Sequence, residues 1–536
     1  MSFLCCVNCK TADVSLPFGE IESSWTEVIS TKNGDVRGIK NADASVELFA
    51  GIPFAAAPVG EFRWKEPKDY SWDGILDADH FAKIAMQKQN SKFFNTLFNA
   101  YIHSKGSRTD YAPMSEDCLY LNIWRPEGTT AEDKLPVLVY VHGGSLMTGS
   151  SWFESYDGEN MANDGIIMVN IAYRTGVFGY FAHEDLALES VNGTTGNYGL
   201  LDQIKALKWV NDNIECFGGD VNNITIAGES AGSSSVNALC ASPLTKGMFR
   251  RAIGESSSLV IQVPSHTFRS IKAAQKMGHD IMKEFKADSI EDLRKIPAAK
   301  LIKTKYANNS MTVDGYALTE YPWETYEKGL NHEEALLNGF NAREGFGFTF
   351  FTNITKKNYK KVLAESLYIT DVDALCALKN VKNNKEAKAF YSDIFSVICF
   401  TYPHYSWSKV VSAQGRPVYE YFFSKENGGI GTNHSGEMIY AYRNVPKNSK
   451  NYDQKDYELE KTISTYWLNF VKYGNPNGDE SSADVNSTDS AASAFLPLWQ
   501  TYSQSGGFLL ELGEKVYMRD DPFKMYYKYI DFDIEK

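Results

Sequence analysis

The sequence predicts an α/β fold in which helices flank a large, mostly parallel sheet. Between about residues 134 and 256, short apolar runs typical of buried strands alternate with helical patterns, the order that a parallel sheet covered by helices requires. In addition, 43% of the 536 residues are hydrophobic and 13% are aromatic. This composition supplies a large core and excludes global disorder.

Five apolar runs are predicted as strands, three of them in the alternating segment and two further along the chain. A helix with one buried face is predicted between the second and third strands, because apolar residues recur there at three- and four-residue steps from Leu201 to Phe217. Gly218 and Gly219 are expected to end that helix. The predicted strands are 137–141, 166–173, 224–227, 334–340 and 418–423.

The chain is expected to form one domain at 25–536, with long insertions, behind a flexible tail at 1–24. No internal repeat or linker divides it, and the acidic stretch 478–493 is interpreted as a surface loop. There is no run of 18 apolar residues, so no membrane-spanning helix is expected. With 67 acidic against 54 basic side chains, the net charge of −13 makes nucleic acid an unfavourable partner.

A Gly-x-Ser-x-Gly pattern at 228–232 marks a candidate nucleophile, Ser230. In a strand-turn-helix of this kind, small residues on either side of the serine let the strand and the helix approach each other. The pattern alone is common by chance, but here a predicted strand precedes it and a run of small residues typical of a helix follows it. The similar Gly254-Glu255-Ser256 lacks the second glycine, so Ser256 is interpreted as a structural hydroxyl behind the site.

A nucleophilic serine also needs donors for the negative charge that develops on the substrate carbonyl oxygen. A glycine-rich turn, His142-Gly143-Gly144-Ser145, follows the strand 137–141 and leaves backbone N–H groups uncovered. The N–H groups of Gly144, Ser145 and Ala231 are therefore predicted to form an oxyanion hole.

From about residue 28 to 527 the chain resembles the type-B carboxylesterase and cholinesterase-like family, which has the α/β-hydrolase fold. The resemblance implies an ester hydrolase that uses no metal or cofactor. It also implies a large, mostly parallel sheet flanked by helices, with long helical insertions in the chain. The stretches that carry it occur in the order typical of the family: 36–60, 115–126, 196–220, 228–235 and 466–478.

The same resemblance nominates the partners of Ser230. The family's G-x-N-x-x-E-G segment corresponds to 339–345 and nominates Glu344 as the acid, and its G-x-x-H-x-x-E pattern nominates His434 as the base. A carboxylate can hold the imidazole in one tautomer and stabilise the imidazolium. With an ordinary pKa of roughly 6.5, His434 would make the rate fall below about pH 6.

The sequence thus predicts a serine hydrolase that cleaves small, apolar carboxylic esters through an acyl-enzyme on Ser230. Two alternatives stay open. An interfacial lipase or sterol-ester hydrolase would need an apolar lid, which the Phe-rich stretch 93–101 permits. A catalytically silent adhesion or scaffold protein with this fold typically lacks the serine or the histidine, whereas Ser230, Glu344 and His434 are all present.

The cysteines favour a reducing compartment. Ala85 stands where relatives usually carry the cysteine that pairs with Cys118, so Cys118 is expected to be a free thiol. The first 25 residues contain no recognisable secretory signal, and a cytoplasmic enzyme is expected, or a secreted one if the chain is a trimmed product. The adjacent Cys5 and Cys6 could carry a lipid anchor, although an unmodified tail is favoured.

Overall fold

The computed structural model describes residues 24–89, 112–261, 268–365, 368–429, 431–479 and 496–532. Its strands form one large sheet and three small ones. In chain order the strands are β1 Ile29–Thr31, β2 Gly34–Arg37, β3 Ile39–Lys40, β4 Val46–Pro53, β5 Ile75–Asp77, β6 Ile84–Ala85, β7 Met114–Ser115, β8 Tyr120–Pro126, β9 Leu135–Val141, β10 Ile167–Ile171, β11 Gly219–Glu229, β12 Arg251–Glu255, β13 Arg269–Ser270, β14 Thr312–Val313, β15 Ala335–Asn341, β16 Val418–Phe423, β17 Leu509–Leu512 and β18 Val516–Arg519.

Helices connect these strands and cover the large sheet. The α-helices are Glu159–Asn163, Gly176–Tyr180, Glu184–Glu189, Tyr198–Asn213, Ala231–Ala241, Ile271–Phe285, Ile290–Arg294, Ala298–Leu301, Pro322–Glu327, Gly345–Thr349, Tyr359–Ala364, Val372–Ala377, Asn384–Ser396, Tyr402–Ala413, Met438–Ala441, Gln454–Tyr473 and Lys524–Tyr527. Short 3-10 turns are Gly60–Phe62, Glu154–Tyr156, Ile214–Phe217 and Pro243–Thr245, and a π-helical turn spans Val397–Thr401.

The large sheet has eleven strands in the order β18-β17-β16-β15-β12-β11-β9-β10-β8-β4-β3. Its middle, from β17 to β10, is parallel, and antiparallel strands close both edges. Since the carboxyl ends of parallel strands lie along one edge of a sheet, the segments that follow β9, β11, β15 and β16 start from the same edge. This arrangement confirms the predicted large, mostly parallel sheet.

The predicted elements form with small changes at their ends. All five predicted strands are present, and β11 is longer than expected because pairing with β9 already begins at Gly219. The predicted helix runs over Tyr198–Asn213 and continues as the 3-10 turn Ile214–Phe217. It ends at Gly218, whose φ of 86° places it in the left-handed region that glycine adopts readily.

The core lies on both faces of the large sheet. Along β9, Val137, Val139 and Val141 pack in one apolar cluster with the helices Tyr198–Asn213 and Ala231–Ala241. The alternate residues of β9 pack in a second cluster with Trp467 and its neighbours on the long helix near the carboxyl end. Because successive side chains of a strand point to opposite faces, both faces of β9 are covered, as its continuous apolar run predicts.

Several expectations concern the rest of the chain. Within the described residues, Cys118 is buried and is a free cysteine. None of the helices within the described residues is both long enough and apolar enough to cross a lipid bilayer. The tail with Cys5 and Cys6, the stretch 93–101 and most of the acidic stretch 478–493 lie outside the described residues.

Candidate active site

Ser230 occupies a sharp turn between β11 and the helix Ala231–Ala241. Its backbone has φ 57° and ψ −128°, a conformation that costs energy for any residue other than glycine. The Ser230 N–H donates to the carbonyl oxygen of Glu255 on β12, at 2.8 Å, and helps to hold the turn. A strained serine between a strand and a helix is the geometry that the sequence pattern predicts.

The two flanking glycines allow the helix Ala231–Ala241 to lie close against the sheet at this turn. A Cβ added at Gly232 would lie 2.1 Å from the carbonyl oxygen of Val141, at the end of β9. One added at Gly228 would lie 2.5 Å from the carbonyl carbon of Gly232. Any side chain at either position would therefore push the helix away from the sheet, and Ser230 with it.

The glycine-rich turn after β9 lies directly against Ser230. A Cβ at Gly143 would be 3.0 Å from the Ser230 Cβ. Gly144 and Ser145 have φ values of 103° and 57°, and neither N–H donates to an acceptor within the described part of the chain. Ala231 begins its helix, so its N–H has no acceptor inside the helix. All three sequence-predicted donors therefore belong to segments that adjoin Ser230.

Glu344 and His434 meet at the same edge of the sheet. Glu344 follows β15 and is fully buried, and its Oε2 lies 2.6 Å from Nδ1 of His434. The Asn341 N–H donates to the other carboxylate oxygen at 2.7 Å, which fixes the carboxylate. Nε2 of His434 is buried and lacks a hydrogen-bond partner among the described residues. Because Glu344 contacts Nδ1, Nε2 is the ring nitrogen that can accept a proton from another group.

Glu229, the residue before Ser230, also faces His434, and sequence analysis did not assign it. Its Oε1 lies 3.2 Å from Nε2 of His434, a charge contact without the alignment of a hydrogen bond. The hydroxyl of Ser435 donates to the same oxygen at 2.5 Å. The sequence shows only that an acidic residue adjoins Ser230, because the contact itself depends on where the distant loop that carries His434 folds.

These contacts change the acid-base behaviour of the site. Burial raises the pKa of Glu229 to about 7. Burial alone would lower the pKa of His434, but the charges of Glu229 and Glu344 outweigh it and raise that pKa to about 9. A protonated Glu229 would no longer raise the pKa of His434, so the two titrations are linked. The ordinary pKa assumed from the sequence is therefore corrected upward, because Glu229 and Glu344 both face the imidazole.

A polar layer lies behind Glu344. The hydroxyls of Ser256 and Tyr421 each donate to Oε1 of Glu437 at 3.0 Å. The side-chain amide of Asn341 donates to the second oxygen of Glu437. Ser256 is completely buried within this layer, which agrees with its interpretation as a structural hydroxyl.

Two phenylalanines flank the imidazole of His434. The ring centroids of Phe348 and Phe400 lie 5.1 Å and 4.9 Å from that of His434. Phe348 is 45% exposed, and Phe400 belongs to the π-helical turn Val397–Thr401. A π-helical turn shifts the register of the side chains that follow, which sequence periodicity does not reveal. The result is an apolar wall beside His434.

A group of side chains that could bind a metal ion lies away from Ser230 and His434. Within the ranges that the structure describes, the only group of three metal-ligating side chains close enough to share an ion consists of His183, Glu184 and His279. Among the described residues, no hydrogen bond or ion pair joins these three side chains to Ser230 or His434.

A strained Gly-x-Ser-x-Gly turn on a large, mostly parallel sheet, with a buried glutamate in contact with a histidine, is typical of the α/β-hydrolase class. A family model described as "Carboxylesterase family" matches residues 26–530. The chain is 33% identical over 468 residues to fumonisin B1 esterase of Sphingopyxis macrogoltabida, which covers 83% of this chain and 82% of that protein. It is 30% identical over 519 residues to carboxylesterase 1C of Rattus norvegicus, with 90% and 89% covered.

A crystal structure of a Geobacillus stearothermophilus carboxylesterase matches with a TM-score of 0.77 and 28% identity, covering 94% of this chain and 100% of that one. The chain therefore belongs to the carboxylesterase family, with the α/β-hydrolase fold, and it is a carboxylic ester hydrolase. This confirms the resemblance, the fold class and the enzyme class predicted from the sequence.

Proposed function

We propose that the chain hydrolyses small, apolar carboxylic esters through an acyl-enzyme on Ser230, with Glu344 and His434 as its catalytic partners. The observation that supports this most is the 2.6 Å contact between Glu344 and Nδ1 of His434, which leaves the buried Nε2 without a hydrogen-bond partner in the described residues. An imidazole held in this way can accept the proton of a serine hydroxyl when it is in its neutral form.

In the proposed acylation step, Nε2 of His434 takes the proton of Ser230 as Oγ attacks the ester carbonyl carbon. The N–H groups of Gly144, Ser145 and Ala231 donate to the oxygen that becomes negative. Glu344 stabilises the imidazolium. When the carbon–oxygen bond to the alcohol breaks, His434 gives the proton to the departing alcohol.

In the proposed deacylation step, water replaces the alcohol. His434 takes a proton from that water as it attacks the acyl carbon, and the bond between the acyl carbon and Oγ of Ser230 breaks. The proton returns from Nε2 to Oγ of Ser230, the carboxylic acid is released, and the free enzyme is restored. Glu229 lies close enough to stabilise the imidazolium in both steps.

The apolar wall of Phe348 and Phe400 supports the proposed substrate class. Both rings lie beside the imidazole, so an alkyl or aryl group of the ester would contact them when its carbonyl carbon reaches Ser230. Burying such a group against aromatic rings is favourable by roughly 25 cal/mol per Å² of apolar surface.

The test is hydrolysis of p-nitrophenyl esters of increasing chain length, measured below and above their solubility limits. The wild type is expected to hydrolyse short and medium esters, and Ser230→Ala to lose this activity. Ser256→Ala, in the related Gly-Glu-Ser sequence, is the matched control and is expected to retain most of it. Equal loss in both variants, or unchanged hydrolysis by Ser230→Ala, would contradict the proposal. A steep rise in rate above the solubility limit would instead identify an interfacial lipase.

A further inference from the structure

His183, Glu184 and His279 form a compact group of side chains away from Ser230. His183 is the N-cap residue of the helix Glu184–Glu189, and His279 lies on the helix Ile271–Phe285. Each side chain offers one ligand atom, and the three atoms lie within 4.8 Å of one another. Nε2 of His279 is 2.9 Å from Oε1 of Glu184. Two imidazoles and a carboxylate from separate segments therefore face one point.

A close backbone approach brings these segments together. A Cβ added at Gly278 would lie only 1.9 Å from the carbonyl oxygen of Ala182. The helix Ile271–Phe285 thus rests directly on the main chain next to His183, which only glycine permits. As a result, the ring centroids of His183 and His279 lie 4.7 Å apart.

His183 is already held in place. Its side chain is only 8% exposed, and its ring stacks on Phe181. Its backbone N–H donates to the hydroxyl of Thr195 at 3.3 Å, and Nδ1 accepts the Asp185 N–H at 3.2 Å. Nδ1 also faces the carboxylates of Glu184 and Asp185 at 3.9 Å and 3.5 Å. The burial and the ring stack thus fix the position of Nδ1, and an ion bound there takes the place of the Asp185 N–H.

We propose that His183, Glu184 and His279 bind one divalent transition-metal ion of the zinc type. Imidazole nitrogens and a carboxylate suit this class of ion, and bond lengths of about 2.0–2.2 Å place tetrahedral ligand atoms roughly 3.3 Å apart. Glu184 and His279 are about half exposed, so their side chains can make the small shifts required. Asp185 or water completes the coordination, and the ion replaces the Asp185 N–H at Nδ1.

The ion would act as a structural link. The helix Ile271–Phe285 belongs to the segment between β12 and β15, whereas His183 and Glu184 belong to the segment after β10. Binding in the folded state alone raises stability as the free ion concentration exceeds the dissociation constant. Zinc is therefore expected to raise the melting temperature without entering the ester hydrolysis.

The experiment uses the full chain, stripped with a chelator and titrated with zinc chloride against a chromogenic competitor. We expect saturable uptake of one ion per chain and a rise in melting temperature. His279→Ala and Glu184→Gln should each weaken zinc binding by at least about tenfold, since losing even a group behind a ligand has that effect. His80→Ala removes an exposed histidine that also contacts a carboxylate, Asp79 at 2.6 Å, and should change nothing.

His183→Asn is the variant that separates metal binding from folding, because asparagine also caps helices while it removes the imidazole. It should keep the melting temperature of the zinc-free wild type and lose zinc binding. Hydrolysis of a p-nitrophenyl ester checks that each variant is folded. The proposal is overturned if the stripped protein takes up no zinc saturably, or if His279→Ala binds zinc as tightly as the wild type does.

Discussion

Ser230 and His434 are held in place by different kinds of contact. The main chain holds Ser230 between a strand and a helix, at a distance that Gly228 and Gly232 set. His434 lies in a loop after β16, and side chains from other segments hold it, Glu344 and Glu229 above all. The position of the proposed nucleophile thus depends on local sequence, and that of the proposed base on tertiary contacts. Substitutions that move the backbone should therefore displace Ser230, and substitutions that remove a charge should alter the pKa and orientation of His434.

The largest effect is expected at the nucleophile turn. In Gly232→Ala the new Cβ would meet the Val141 carbonyl at 2.1 Å, so the helix has to move. We expect the free energy of unfolding to fall by about 3 kcal/mol and hydrolysis to be nearly lost. Gly347→Ala is the matched control, because a Cβ there meets nothing within 4 Å in the described residues. Chemical denaturation and initial rates measure both, and equal behaviour of the two variants would show that the close approach is unimportant.

The next effect concerns the acid. Glu344→Gln keeps the shape but removes the charge that faces Nδ1 of His434. We expect kcat to fall on the order of 10³–10⁴-fold, as when the acid of other serine hydrolases is changed. Glu420→Gln, a change at another buried glutamate, should leave kcat close to that of the wild type. A loss below about tenfold in Glu344→Gln would mean that a different group orients His434.

A smaller, pH-dependent effect is expected at Glu229. His434 has to be neutral to accept a proton, so kcat/KM rises with pH through its pKa, which nearby carboxylates raise to about 9. Glu229→Gln removes one of these charges and should lower the pKa, so the rising limb of the profile moves to lower pH. Glu420→Gln should leave the limb in place. A limb that is unchanged or moves to higher pH in Glu229→Gln would contradict this role.

The smallest effect is expected at Ser435, which acts through Glu229. Ser435→Ala removes one hydrogen bond to a carboxylate, a loss of about 1.5 kcal/mol and hence on the order of tenfold in kcat/KM. Because its hydroxyl stabilises the charged form of Glu229, the rising limb should also move slightly to lower pH. In the Glu229→Gln background the same change should have almost no effect. Equal losses of kcat/KM in the wild type and in Glu229→Gln would show that Ser435 does not act through Glu229.

The same contrast explains what the sequence could predict. The strands, the helix that ends at Gly218 and the turn at Ser230 depend on neighbours in the chain, and all were predicted from the residues. Glu344 and His434 were nominated by family resemblance, since spacing cannot select one glutamate from many. Glu229 and Phe400 were missed because their contacts with His434 depend on how a distant loop and a π-helical turn pack.

The central claim is that Ser230 is the group that becomes acylated. Its most direct test is reaction of the protein with a fluorophosphonate ester, followed by intact mass spectrometry and peptide mapping. We predict one adduct per chain on the peptide that contains Ser230, none in Ser230→Ala and much slower labelling in Glu344→Gln. An adduct on Ser256, or labelling of Ser230→Ala at the wild-type rate, would contradict the account.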